Sequence, residues 1–159
     1  MDFIDVAILM EIEGENFYRD LILKTSNAGL KSILTMLADD EVKHRILFEK
    51  MKKSEKIEIT ISQTGIKAIE IFKEENKNDF IKSINQIQVY ESVLKLEKES
   101  IDLYTAEVNK ANNATQKEVI ISIINEEKKH YELIEYIIDL VSKPQRWVEH
   151  AEFTIKEEY

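Results

Sequence analysis

Two copies of one pattern carry residues able to do chemistry. Glu11 is followed by Tyr18 and then by Glu41-x-x-His44, and Glu97 is followed by Tyr104 and then by Glu127-x-x-His130. A single offset of 86 residues (97 − 11) aligns the copies without a gap, and it also pairs Glu13 with Glu99, Asn27 with Asn113, Ala28 with Ala114 and Lys43 with Lys129. Asp40 falls on Glu126, so each Glu-x-x-His is preceded by another carboxylate. Residues three apart on a helix share a face. Mixed oxygen and nitrogen donors suit iron or manganese and disfavour soft copper(I). With three histidines in the chain, one such match would mean little; two, each with an upstream Glu at the same distance, mean much more.

The elements that must position these residues are helices. Apolar residues recur at three- and four-residue spacing over about 2–25, from the Ser26-Asn27-Ala28-Gly29 cluster to about Lys53, over about 79–109, and from Asn112-Asn113 to Ser142, just before the only proline, Pro144. The distance from Glu to Glu-x-x-His is 30 residues in both halves (41 − 11 and 127 − 97), two helices of about four turns meeting at a turn midway, which sets the two glutamates at similar depth. The core stripes run through the chemical residues: Leu37, Glu41, His44 and Phe48 on the second helix; Ile123, Glu127, His130 and Ile134 on the fourth; Ala7, Glu11, Gly14 and Tyr18 on the first; Val93, Glu97, Ser100 and Tyr104 on the third. Four carboxylates at one level of an apolar core need compensation. The stripes hold no lysine, whereas two divalent cations balance four carboxylates and two imidazoles complete the coordination. Glu from two helices and Glu-x-x-His from two others is the donor set of di-iron and di-manganese bundles.

Two short turns and a long segment, about 54–78, predict an all-α, ferritin-like antiparallel four-helix bundle of two hairpins joined by a crossover. The bundle is expected over 1–142. A short helical tail, 143–159, is expected to dock Trp147 and Phe153 on the bundle or on a second subunit. His150 has Trp147 three residues before it rather than Glu and reads as a surface histidine.

Composition agrees with this reading and closes other routes. The 159 residues are 43% hydrophobic and 33% charged, with three glycines and one proline, too few turn formers for an all-β fold. The absence of cysteine removes disulfides, thiolate-bound zinc and iron–sulfur or rubredoxin-type iron sites. A net charge of −9 argues against a nucleic-acid partner, and no apolar run reaches the roughly 20 residues of a membrane span. With an acidic N-terminus, a cytoplasmic location is expected.

At Met10 to Tyr18, Asp40 to His44, Leu96 to Tyr104 and Glu126 to His130, the sequence resembles the rubrerythrin-like branch of the ferritin-like superfamily, over residues 2 to about 141. The resemblance implies six metal ligands: Glu41 and Glu127 bridging two ions, Glu11 and His44 capping one, Glu97 and His130 capping the other. It implies that Tyr18 and Tyr104 bond ligand carboxylates across the bundle. Asp40 would accept from the ring N–H of His130, and Glu126 from that of His44. The sequence departs from the family pattern at three points. It has no rubredoxin-type cysteines, no extra third-helix glutamate (Leu94 and Ser100 flank Glu97 at three residues), and Val42 where haem-binding relatives carry Met.

The expected function is a non-haem di-iron oxidoreductase (iron, with manganese or zinc possible; no haem) that reduces hydrogen peroxide or dioxygen. An external electron donor such as a rubredoxin would supply it, and the protein is expected to be a homodimer. Gly14, beside Glu11, reads either as room for a small oxidant or as close helix packing. Two alternatives stand beside this reading: a ferroxidase handling or storing iron, and a bundle using metal for stability alone while binding a partner.

Overall fold

A computed structural model describes residues 1–147. Six α-helices and no strand occur among them: α1 (Phe3–Lys24), α2 (Ala28–Lys52), α3 (Thr64–Glu74), α4 (Lys77–Lys82), α5 (Ile87–Glu107) and α6 (Ala114–Ser142). The long helices α1, α2, α5 and α6 form the ferritin-like bundle. α1 pairs with α2 and α5 with α6, while α1 lies along α5 and α2 along α6.

Local chemistry fixes where the helices begin. Asn27 caps α2 by accepting from Leu30 N at 2.9 Å, and Asn113 caps α6 by accepting from Gln116 N at 2.9 Å. From each cap to its Glu is 14 residues (41 − 27 and 127 − 113), about 21 Å of helix. The repeated asparagines therefore bring Glu41 and Glu127 to matching positions.

The apolar core is split. An upper cluster gathers Tyr18, Leu34, Leu37, Val93, Ile134 and Ile137 with residues of α3 and α4, and a lower one gathers Ala7, Phe48, Tyr104, Val119, Ile120 and Ile123. Along each long helix the acidic and histidine positions lie between a residue of one cluster and a residue of the other. The polar layer thus has apolar packing on both sides, which excludes water and strengthens every electrostatic interaction inside it.

The crossover differs from the sequence expectation. The third long helix begins at Ile87, not Asp79, so the connection spans 53–86 rather than about 54–78. Asn76 caps the separate α4, and the Ser83 hydroxyl donates to the Phe80 carbonyl at 2.6 Å, competing with continuation of the helix. Gln86 then takes a left-handed conformation (φ 61°) that turns the chain into α5. The break lets Phe80 pack on Phe72 at 5.3 Å between ring centroids. Residues 55–63 form no regular element.

After α6 the chain makes a short 3-10 turn (Pro144–Arg146), and Trp147 packs on Phe72 and Phe80 at 5.4 and 5.1 Å. Phe153, His150 and the rest of the expected helical tail lie outside the described residues. No helix among the described residues is long and apolar enough to cross a membrane.

Candidate metal centre

The four long helices bring the six expected donors together. Glu11, Glu41, His44 and Glu127 form one group, and Glu41, Glu97, Glu127 and His130 another; in each, one ligand atom per residue lies within 4.8 Å of all the others. Glu41 and Glu127 belong to both groups, the placement that bridging carboxylates require. None of the six residues is more than 2% exposed.

The imidazoles are oriented alike, stacked with centroids 5.9 Å apart. Each turns Nδ1 inward. His44 Nδ1 lies 2.8 Å from Glu127 Oε1 and 3.5 Å from Glu11 Oε1, and His130 Nδ1 lies 3.0 Å from Glu41 Oε1. Each Nε2 faces an outer carboxylate: His44 meets Glu126 Oε1 at 2.8 Å, and His130 meets Asp40 Oδ2 at 2.9 Å. Tyr18 donates to Glu97 Oε1 and Tyr104 to Glu11 Oε1, both at 3.0 Å. The pairing expected for Asp40, Glu126 and both tyrosines is therefore the pairing observed.

Several side-chain oxygen and nitrogen atoms in this layer have no hydrogen-bond partner. They are Glu11 Oε2, Glu97 Oε2, Glu127 Oε1 and His44 Nδ1, whose close approach to Glu127 is out of hydrogen-bond alignment. An unpaired buried polar atom costs roughly 1–3 kcal/mol, and more when charged. The ion-pair contacts of Glu11, Glu41, Glu97 and Glu127 are with His44 and His130. A pair of divalent cations satisfies both the orphaned atoms and the four carboxylate charges, so the residues fit a two-metal centre.

Without cations the layer must hold protons. Burial and the charges of Glu11, Glu127 and Glu97 push Glu41 well above the ordinary carboxyl range. Burial with Glu11 and Glu97 does the same to Glu127, partly opposed by His44. Burial alone would neutralise the histidines, but their carboxylate neighbours overcome it and raise both. Burial and the nearby glutamates hold both tyrosine hydroxyls protonated far above their usual range. At Asp40, burial is outweighed by His130, Thr64 and Ser62, which bring the carboxyl down to about 2.

At Gly14 the close-packing reading holds. A Cβ built there would meet Glu41 Oε2 at 2.9 Å and Cδ at 3.2 Å. The space beside Gly14 is taken by the Glu41 carboxylate, and not by room for an oxidant.

Two functional residues were not identified from sequence. Ser62 and Thr64, from the crossover, donate to Asp40 Oδ2 at 2.8 and 2.7 Å, and Ser62 N donates to Glu126 Oε2 at 3.0 Å. A Ser-x-Thr at the entry to a helix is a local cap signal, but nothing in its spacing points to partners on α2 and α6.

The family model for rubrerythrin matches residues 2–138. The chain belongs to the rubrerythrin family. No curated protein and no solved structure matches it significantly. In this rubrerythrin-family chain, the positions three residues from Glu97 are Leu94, packed at the edge of the upper cluster, and the buried Ser100, so no further carboxylate of α5 joins the layer there. Val42 follows Glu41, and the charged layer reaches outward through Asp40 and Glu126 instead.

Proposed function

We propose that the protein is a non-haem di-iron oxidoreductase that reduces hydrogen peroxide, or dioxygen, to water. One observation carries the reading: two buried donor groups share Glu41 and Glu127 and hold orphaned carboxylate oxygens. For peroxide the balance is H2O2 with two protons and two electrons giving two waters, and a pair of ferrous ions would supply those two electrons together. For dioxygen it is O2 with four protons and four electrons giving two waters, the further two electrons coming from the external donor.

Glu41 and Glu127 would hold both ions, Glu11 and His44 one, Glu97 and His130 the other. Asp40 and Glu126 face the Nε2 atoms and, with Nδ1 on a cation, would accept the Nε2 protons and fix each ring's tautomer. The Tyr18 and Tyr104 hydroxyls, kept protonated by their surroundings, keep proton donors within 3.0 Å of Glu97 and Glu11. A cavity of about 160 Å³ bounded by His44, Glu126, Ser62 and Ile123 reaches the layer's edge, large enough for a molecule the size of peroxide. With no cysteine among its 159 residues, the chain draws electrons from an external donor; a rubredoxin-like one-electron carrier fits.

The test is stopped-flow oxidation of the di-ferrous protein by peroxide. Oxidation much faster than that of free Fe(II), with water as product, supports the proposal, and a rate no faster than the free ion refutes it. Size-exclusion chromatography separates iron storage from this reading: a dimer excludes a ferritin-type cage, and a large closed shell favours it.

A further inference from the structure

The two halves of the bundle repeat each other in sequence, but the crossover binds them unequally. On the His130 side, Asp40 Oδ2 accepts from Ser62 Oγ at 2.8 Å and Thr64 Oγ1 at 2.7 Å and faces His130 Nε2 at 2.9 Å. Thr64 N in turn donates to Ser62 Oγ at 3.1 Å, which holds the Ser62 hydroxyl against Asp40. Asp40 is 2% exposed. On the His44 side, Glu126 has one crossover bond, from Ser62 N, and is 9% exposed. Both outer carboxylates border cavities, Glu126 one of about 160 Å³ and Asp40 one of about 260 Å³, so the difference lies in the bonds each receives from the crossover and in its exposure. Glu126 carries one more methylene than Asp40 and so has one more torsion to fix.

Building on the two-metal reading, we propose that Ser62 and Thr64 are positioning residues. By fixing Asp40, and through it the His130 ring, they make the Glu41, Glu97, Glu127, His130 position the tighter of the two divalent-cation sites. A ring held in one tautomer and one orientation loses less freedom when Nδ1 binds a cation. At the other position the ring is held by a longer carboxylate with a single crossover bond, and its cation is the more exchangeable one. The crossover, the one long segment outside the sequence repeat, is what makes two halves with the same ligand pattern inequivalent.

Calorimetric titration of the full-length metal-free protein with zinc(II), which has no redox chemistry, tests this directly. The wild type is expected to bind two zinc ions in two unequal steps. Thr64→Val, which keeps shape and loses the hydroxyl, should weaken the tighter step by about tenfold and leave the weaker one in place. Thr64→Ser should restore it, and Ser62→Ala should act in the same direction as Thr64→Val should the valine variant fail to fold. Glu11→Ala should weaken the other step instead. Equal steps in the wild type, or a Thr64→Val effect spread over both steps or absent from both, overturns the proposal. Wild-type protein that binds no zinc refutes the two-metal reading beneath it.

Discussion

Tyr18 of α1 donates its hydroxyl to Glu97 of α5 at 3.0 Å, across the bundle and 79 residues away in sequence. Tyr104 returns the same bond to Glu11, also at 3.0 Å, so each hairpin supplies a proton donor to the other's carboxylate. Replacing either tyrosine by Phe removes a donor while keeping the ring. We expect Tyr18→Phe and Tyr104→Phe to retain two irons per chain and to slow oxidation by peroxide by about ten- to a hundredfold. Iron analysis alongside stopped-flow rates checks this, and unchanged rates in both variants would remove the tyrosines from the chemistry.

Metal binding should release protons. Glu41, Glu127, His44 and His130 are all raised in the metal-free layer, Glu41 and Glu127 first by burial, the histidines by their carboxylates against burial. Cations need the deprotonated ligands, so protons compete with them. Apparent affinity should therefore rise as pH increases from about 6 to about 8, and metal addition should acidify a weakly buffered solution. Affinity that is flat over that window, with no acidification, contradicts the assignment.

Gly14 separates stability from metal binding. Alanine there gains up to about 1 kcal/mol of helix propensity, while its Cβ would press on the Glu41 carboxylate, the far end of a flexible side chain. Gly14→Ala should keep the metal-free fold and lower metal affinity by about tenfold as Glu41 is displaced. Thermal melts and metal titration of one preparation read both effects. Full affinity in the variant would show that the Glu41 position is not set by this contact.

Trp147 tests the packing beyond α6. Its ring meets Phe72 and Phe80 of the crossover at 5.4 and 5.1 Å, and Arg146 pairs with Asp139 beneath it. Trp147→Ala should destabilise the metal-free protein by about 2–3 kcal/mol, read by denaturant unfolding, without changing the number of metal ions bound. A loss of metal stoichiometry would instead tie this packing to the centre.

Much of the bundle and its polar layer was legible because both rest on periodicity. The 86-residue repeat carries its own caps, Asn27 and Asn113, so the depth of Glu41 and Glu127 follows from counting turns. Burial of Glu11 and Glu97 followed from their places in apolar stripes. What spacing does not carry was not legible. The break before α5 depends on Gln86 adopting a left-handed backbone, which no glycine marks. Ser62 and Thr64 lie in a stretch without helical period, and their partners are 22 and 24 residues away on α2, with Glu126 farther still on α6. Gly14 was left open between two readings, because a glycine on a core face does not say which side chain fills the space beside it, and the Glu41 carboxylate decides for close packing.

The central claim is that six side chains from four helices hold two cations between shared carboxylates. Anomalous diffraction from crystals of the iron-loaded protein, grown without oxygen, measures this most directly. We predict two iron peaks per chain, both flanked by Glu41 and Glu127, one next to Glu11 and His44 and the other next to Glu97 and His130. A single peak, or iron bound away from this layer, would contradict it.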